Sequence, residues 1–314
     1  MTFNGIHHVT AFAGDAARNR SFYADVLGLR LVKRTVNFDD PGTWHLYFGD
    51  NAGAPGSLIT FFPWPHATKG RAGVGDVLRT TFRVPAGSIG FWAHRFLEKG
   101  VRHDGVARRF GDSVIDFEDP DGTLLSLVAF GDAPAPAGEA DAAGEAIPPA
   151  HAITGIDGVT LLLREAGPTA AILTSVFGFQ ESGREGAVTR LALGDGAGRS
   201  VVDLHVAGNF PGGHLGRGSV HHVAFRAADD AGQAELAARL VRDHGLRPTE
   251  QRDRQYFRSI YFREPGGVLF EIATDDPGFA VDEPQAHLGE QLKLPPQYEA
   301  HRAQIEAALP PLED

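Results

Sequence analysis

Cysteine is absent from this sequence of 314 residues. Without thiols there are no disulfides and no thiolate metal sites, so any bound ion must be held by histidine, aspartate or glutamate. Positive charge is also scarce: 29 lysines and arginines face 40 aspartates and glutamates, for a formal net charge of -11. No basic run occurs. Phosphate backbones and anionic membranes need a concentrated positive patch, which argues against nucleic acid or membrane as the main partner. Also missing is any apolar stretch of about 18 residues, the length a membrane-spanning helix needs. The opening MTFNGIHHVT lacks the basic-then-apolar pattern of a secretory signal. The expectation is a soluble cytoplasmic protein. The remaining proportions, 42% hydrophobic and 22% charged, suit a globular chain with enough material for two cores.

What is present in quantity is repetition. Four segments follow one plan: a strand-like opening, an amphipathic helix closed by a glycine, then material for about three strands broken by turn residues. GIHHVTAFA leads into DAARNRSFYADVLG, where Asp15 can cap a helix with Phe22 and Val26 on one face and Gly28 at its end. LRTTFRVP precedes GSIGFWAHRFLEKG, ending at Gly100. GIDGVTLLL precedes GPTAAILTSVFG, ending at Gly178, and GSVHHVAFRA precedes DDAGQAELAARLVRDHG, ending at Gly245. The closing segments SVIDFEDPDGTLLSLVAF and RSIYFREPGGVLFEIATD align residue for residue, Pro120 on Pro265 and Gly122 on Gly267, each a hairpin around an acidic-Pro-x-Gly turn. The unit is βαβββ, and four such modules make an α+β chain in two tandem halves. Residues 1–131 form the first half and 151–275 the second. The Pro- and Ala-rich stretch 132–150 reads as a linker. Residues 276–314 form an extra tail with a short helix expected near YEAHRAQIEAAL, either loose or a flap over a site.

The copies differ where chemistry would show. His7 and His8 of the first copy align with Asp157 and Gly158 of the third, while the fourth has His221 and His222. Glu271 falls on Ser126 of the second copy, and its neighbours Leu269, Phe270 and Ile272 are apolar. A carboxylate so placed needs a cation. Strand alternation sends one histidine of each pair to the concave side and the other toward the opposite face or the rim. His8 and His222 are the inward members, because Thr10 and Ala224 two positions on are small enough to leave room. With Glu271 they make a 2-His-1-carboxylate set, which holds Fe(II) or Mn(II) and leaves positions open. A single strand histidine is more often a hydrogen-bonded core residue, so it is the recurrence of the pair in a copy that also carries the glutamate that favours ligation. A structural metal is the weaker reading, since closed sites take four protein ligands and three can be named. The ligands come from copies one and four, which must therefore share a cup. Copies two and three are left to form a second, metal-free one.

Modules with histidines on opening strands and a glutamate on a closing strand resemble the vicinal oxygen chelate superfamily, which includes glyoxalases, bleomycin-resistance proteins and extradiol dioxygenases. The phrases IHHVT, VLGLRLVKRTVNFDD, WHLYFGD, GAPGSLITFFPWP, VHHVAF and KLPPQYEAHRAQIEAALPPL, in that order along nearly the whole chain, are most similar to its ring-cleaving dioxygenases that act on hydroquinones. The resemblance implies cup-shaped mixed sheets, His8, His222 and Glu271 as Fe(II) ligands with Mn(II) as the alternative metal, and His7, Thr10, His221, Arg254 and Tyr261 around the substrate. From position alone Arg254 is a solvated charge in EQRDRQYFR, Tyr261 a strand aromatic and Thr10 a strand filler. The implied partners are a small aromatic substrate and O2, with a homo-oligomer as the candidate assembly. In the implied reaction O2 is inserted beside a hydroxyl-bearing carbon. Arg254 stabilises the developing anionic oxygen, Tyr261 donates a hydrogen bond, and His7 or His221 moves protons. An extradiol catechol dioxygenase is the nearest alternative. A glyoxalase-type isomerase or lyase would want a second carboxylate, and SLITFFPW in the first copy has none. A non-enzymatic ligand-sequestering protein of the same fold would need no triad.

Overall fold

The computed structural model describes residues 5–130 and 147–312, so most of the expected 132–150 linker lies outside the described residues. Four βαβββ copies follow in order. The first is β1 (Ile6–Ala13), α1 (Ala16–Ser21) widening into a π-helical turn over Phe22–Val26, β2 (Arg30–Asn37), β3 (Asp40–Gly49) and β4 (Leu58–Pro63). The second is β5 (Asp76–Val84), α2 (Ile89–Glu98), β6 (His103–Arg109), β7 (Asp112–Glu118) and β8 (Leu124–Ala129). The third is β9 (Gly155–Leu163), α3 (Gly167–Ser175), β10 (Gln180–Glu185), β11 (Val188–Leu193) and β12 (Ser200–Val206). The fourth is β13 (Val220–Ala227), α4 (Asp230–His244), β14 (Arg252–Asp253), β15 (Phe257–Arg263) and β16 (Leu269–Pro277).

Local chemistry sets the helix ends. Asp15 accepts the backbone N–H of Arg18 at 2.7 Å and Asp229 that of Gly232 at 2.7 Å, each satisfying a donor the helix cannot. Gly28, Gly100, Gly178 and Gly245 close the four helices with φ of 71°, 67°, 76° and 63°, the left-handed region in which a side chain is strained.

Within each copy the opening strand pairs in parallel with the closing one, and the two strands between them add antiparallel outward. Two eight-stranded mixed sheets result, ordered β14-β15-β16-β13-β1-β4-β3-β2 and β10-β11-β12-β9-β5-β8-β7-β6. Copies one and four share the first, joined antiparallel through β1 and β13, and copies two and three share the second through β5 and β9. Pairing thus crosses the sequence halves. One continuous apolar core holds residues of all four copies, with Tyr23 against Phe61, Phe96 against Phe117 and Phe177 against Phe225.

The tail is packed down. Past β16 it runs through short 3-10 turns to α5 (Arg302–Ala308) and docks on β2 and β3. The Lys293 N–H donates to the Arg34 carbonyl at 2.9 Å, Trp44 Nε1 to the Pro310 carbonyl at 2.7 Å, and Tyr298 Oη to the Phe38 carbonyl at 2.8 Å. Leu294 and Ile305 bury against Val36. An exposed edge strand invites pairing with other chains, and here the tail covers it. No helix among the described residues is long and apolar enough to cross a membrane.

The helix-closing glycines separate two costs. At Gly245 a Cβ would meet nothing within 4 Å, whereas at Gly28 it would stand 2.6 Å from the Ile147 side chain. Gly245→Ala is expected to lower stability by about 1 kcal/mol through the backbone alone, and Gly28→Ala by more. Urea denaturation of both variants checks the order.

Candidate metal centre

Strict alternation would send the two rings of each histidine pair to opposite faces. The structure corrects that expectation, because each pair sits on a β-bulge. The β1–β13 register steps from Ile6↔Phe225 to His8↔Ala224, leaving His7 extra, and from Thr10↔His222 to Ala11↔Val220, leaving His221 extra. An extra residue resets the pleat, so both rings of a pair stand on the concave side. His7 and His8 each touch the Phe257 ring, at 5.2 and 5.1 Å between centroids, and His221 and His222 line one cavity. The two bulges are related by a pseudo-twofold through Val9 and Val223, which pair directly.

This symmetry brings His8 from β1, His222 from β13 and Glu271 from β16 to one point. His222 Nε2 lies 2.8 Å from Glu271 Oε2 and 3.3 Å from His8 Nε2, and His8 Nε2 lies 3.4 Å from Glu271 Oε2. Three ligands about 2.1 Å from one ion would stand roughly 3.0–3.4 Å apart, so the triangle fits a divalent cation. Glu271 is fully buried; its Oε1 accepts a hydrogen bond from Ser259 at 2.5 Å, while Oε2 has no aligned donor. A bare carboxylate oxygen in a dry interior is costly unless a cation meets it. Burial would raise the Glu271 carboxyl, but the facing His8 and His222 rings hold it well below the usual range. Burial lowers His222, with the Glu271 charge opposing it, and a ring that gives its lone pair to a cation is neutral.

The bulged histidines orient the ligands. His7 Nδ1 is 2.9 Å from His8 Nδ1, and His221 Nδ1 is 2.8 Å from His222 Nδ1. With Nε2 of each inner ring given to a cation, its Nδ1–H is the donor and the bulged ring the acceptor, which fixes the tautomer. Burial lowers His7 well below 6.5 and pushes His221 down to about 3, so both remain neutral acceptors.

A cavity of about 270 Å³ opens beside the triad. Thr10, His221, Arg254 and Tyr261 line it; His7 lies behind His8, off the wall. Arg254 Nε donates to Tyr261 Oη at 3.2 Å and Nη2 to Asp39 at 3.2 Å. Burial, then the Glu271 charge, raises the Tyr261 phenol above its ordinary value, so it stays a proton donor.

Sequence reasoning passes over His45, Tyr47 and Thr60. Thr10 Oγ1 lies 2.8 Å from Thr60 Oγ1, which lies 3.0 Å from His45 Nε2, and Tyr47 Oη lies 2.8 Å from His45 Nδ1. His45 and Tyr47 both line the cavity. Their two-residue spacing in WHLYF was the available signal, since alternation puts them on one face. Thr60 has a further meaning. It pairs with Thr10 as Glu271 pairs with Ala224, and Thr10 and Ala224 are pseudo-twofold mates. A threonine therefore stands where symmetry would place a second carboxylate.

The other sheet repeats both bulges, at Leu78 and Asp157. Its register sets Gly158, Arg79 and Ser126 at the three ligand positions. The Arg79 guanidinium pairs with Asp116 at 2.9 Å, so that cup carries its own cation.

A family model described as Glyoxalase/Bleomycin resistance protein/Dioxygenase superfamily matches residues 5–127 and 155–272. A Bacillus subtilis (strain 168) protein named ring-cleaving dioxygenase MhqO is 47% identical over 311 residues, covering 98% of this chain and 96% of the relative. A Sphingobium indicum protein named chlorohydroquinone/hydroquinone 1,2-dioxygenase is 33% identical over 316 residues, covering 96% and 94%. A crystal structure described as a dioxygenase from Bacillus subtilis superposes with a TM-score of 0.91 at 46% identity, covering 99% of this chain and 98% of that one.

Calorimetric titration of the metal-stripped protein with Mn(II) tests the centre. His222→Ala and Glu271→Gln should raise the Kd by about 100-fold or more, and His7→Ala or His221→Ala by about 10-fold through loss of the ring-orienting bond. Unchanged binding by His222→Ala would remove the metal centre from consideration.

Proposed function

This chain belongs to the glyoxalase/bleomycin resistance protein/dioxygenase superfamily and, within it, to the ring-cleaving dioxygenases; on that footing we propose that it is an Fe(II)-dependent enzyme that inserts O2 into a hydroquinone beside a hydroxyl-bearing carbon. The observation that carries the reading is a three-ligand centre whose symmetric fourth position is Thr60, beside a cavity of about 270 Å³. Three ligands leave room for substrate and O2, as the 2-His-1-carboxylate set does in non-haem iron oxygenases. The absence of a carboxylate at Thr60 speaks against a glyoxalase-type base.

Divalent iron there would supply a Lewis acid that lowers the pKa of a ligated hydroxyl and a conduit for electrons between ring and O2. The protein's own groups do the rest. Phe12, Phe62 and Trp64 form an aromatic wall suited to a single ring. Arg254 meets a ring oxygen as it loses its proton, a charge-assisted contact. Tyr261 keeps its proton and donates to developing negative charge. Thr10 and the neutral His221 offer hydrogen-bonding partners to a substrate hydroxyl, and His7 acts by holding His8.

Anaerobic loading with Fe(II) followed by a hydroquinone and O2 should consume one O2 per substrate and yield a ring-opened chromophore. Arg254→Ala is expected to lower kcat/KM about 100-fold and Tyr261→Phe to lower kcat about 10-fold or more. Equal activity without metal would overturn the reading, and far faster turnover of catechol would make the protein a catechol enzyme.

A further inference from the structure

Arg254 is held by little of its own. Its bonds to Tyr261 and Asp39 are both 3.2 Å long, and the Asp39 side chain is 67% exposed, so that ion pair contributes little. Its aim is set instead by the turn that follows it. The Tyr256 N–H donates to the Arg254 carbonyl at 2.8 Å, and the Arg254 N–H to the Phe257 carbonyl at 3.0 Å. Between them Gln255 has φ of 67°, a conformation that non-glycine residues seldom adopt and that persists only where surroundings impose it.

Asp253 Oδ1 accepts the Gln255 N–H at 2.7 Å, and the tail braces the turn from the other side. Asp282 Oδ2 accepts from Gln255 Nε2 at 2.8 Å and from Tyr256 Oη at 3.0 Å, so one carboxylate oxygen ties both residues of the turn. Its Oδ1 accepts from Lys33 Nζ at 2.6 Å. Lys33 is fully buried, stands 4.9 Å over the Tyr256 ring, and also pairs with Glu283, which accepts the N–H groups of Gly289 and Gln291. A buried ammonium cannot be left without its counter-charge. Docking of the tail and the shape of the turn are therefore one event.

We propose that the C-terminal tail is a positioning element for the substrate pocket: Asp282, anchored on the buried Lys33, holds the Gln255–Tyr256 turn and through it aims Arg254 into the cavity. This rests on the proposed role of Arg254 at the substrate, and its test separates the two. In the full-length protein the Arg254 Nε–H, identified by its loss in Arg254→Lys, is followed by NMR. Asp282→Ala should speed its exchange with solvent by about 10-fold or more, as the opening of a local structure does. In steady-state assays Asp282→Ala should raise KM for hydroquinone about 10-fold when Arg254 is present and less than about 2-fold in an Arg254→Ala background, the non-additivity expected if one residue acts through the other. A residue that merely stabilised the fold would cost the same in both backgrounds. That result, or unchanged exchange, would overturn the proposal. Faster exchange in a protein whose parent form consumes no O2 with hydroquinone would support the positioning role and sink the reading of function. Should Asp282→Ala not fold, Gln255→Ala cuts the same link one residue from Arg254 and is expected to act in the same direction.

Discussion

Three potential ligand atoms, His8 Nε2, His222 Nε2 and Glu271 Oε2, converge on one point in a buried part of one sheet. Glu271 Oε2 has two imidazole nitrogens within 3.4 Å and no aligned donor. The surrounding fold can be understood as the means of holding that triangle together. Strands β1, β13 and β16 are adjacent, the bulges turn a second ring behind each ligand, and Ser259 occupies the remaining oxygen of the glutamate. Each device restricts a ligand to one rotamer, which is how a metal site gains affinity beyond its bare donor set.

Symmetry is used and then broken. The pseudo-twofold supplies two matched histidine pairs from the first and last copies, but at the next position it meets Glu271 on one side and Thr60 on the other. That single asymmetry leaves the centre three-coordinate from protein and hands the opposite wall to a hydrogen-bonded chain through Thr10, Thr60, His45 and Tyr47. The second sheet carries the asymmetry further, with the Arg79 guanidinium at one of the ligand positions, paired to Asp116 of the same sheet.

Much of this could be read in advance because it rests on short-range rules. The βαβββ rhythm and the four closing glycines follow from helix capping and turn chemistry. The common cup of copies one and four follows from asking where His8, His222 and Glu271 could meet. What escaped depends on neighbours far away in sequence. A bulge exists only relative to its partner strand, so the side of His7 and His221 was not legible in IHHVT or VHHVAF alone. His45 and Thr60 gain meaning from a register set by β1, β3 and β4 together. The tail read as an appendage because Lys33, an ordinary surface type, becomes buried against the half-buried Asp282 only after the chain has closed.

The pairing of first copy with last also has a consequence for how the protein is made. A ribosome delivers His8 well before Glu271, and at roughly 5–20 residues per second the two are separated by tens of seconds of synthesis. During that interval β1 has no β13 to pair with and its histidines have no carboxylate. The middle copies can complete their own sheet while they wait. The nascent chain thus cannot assemble the His8, His222 and Glu271 triangle until the fourth copy has left the ribosome and paired with the first.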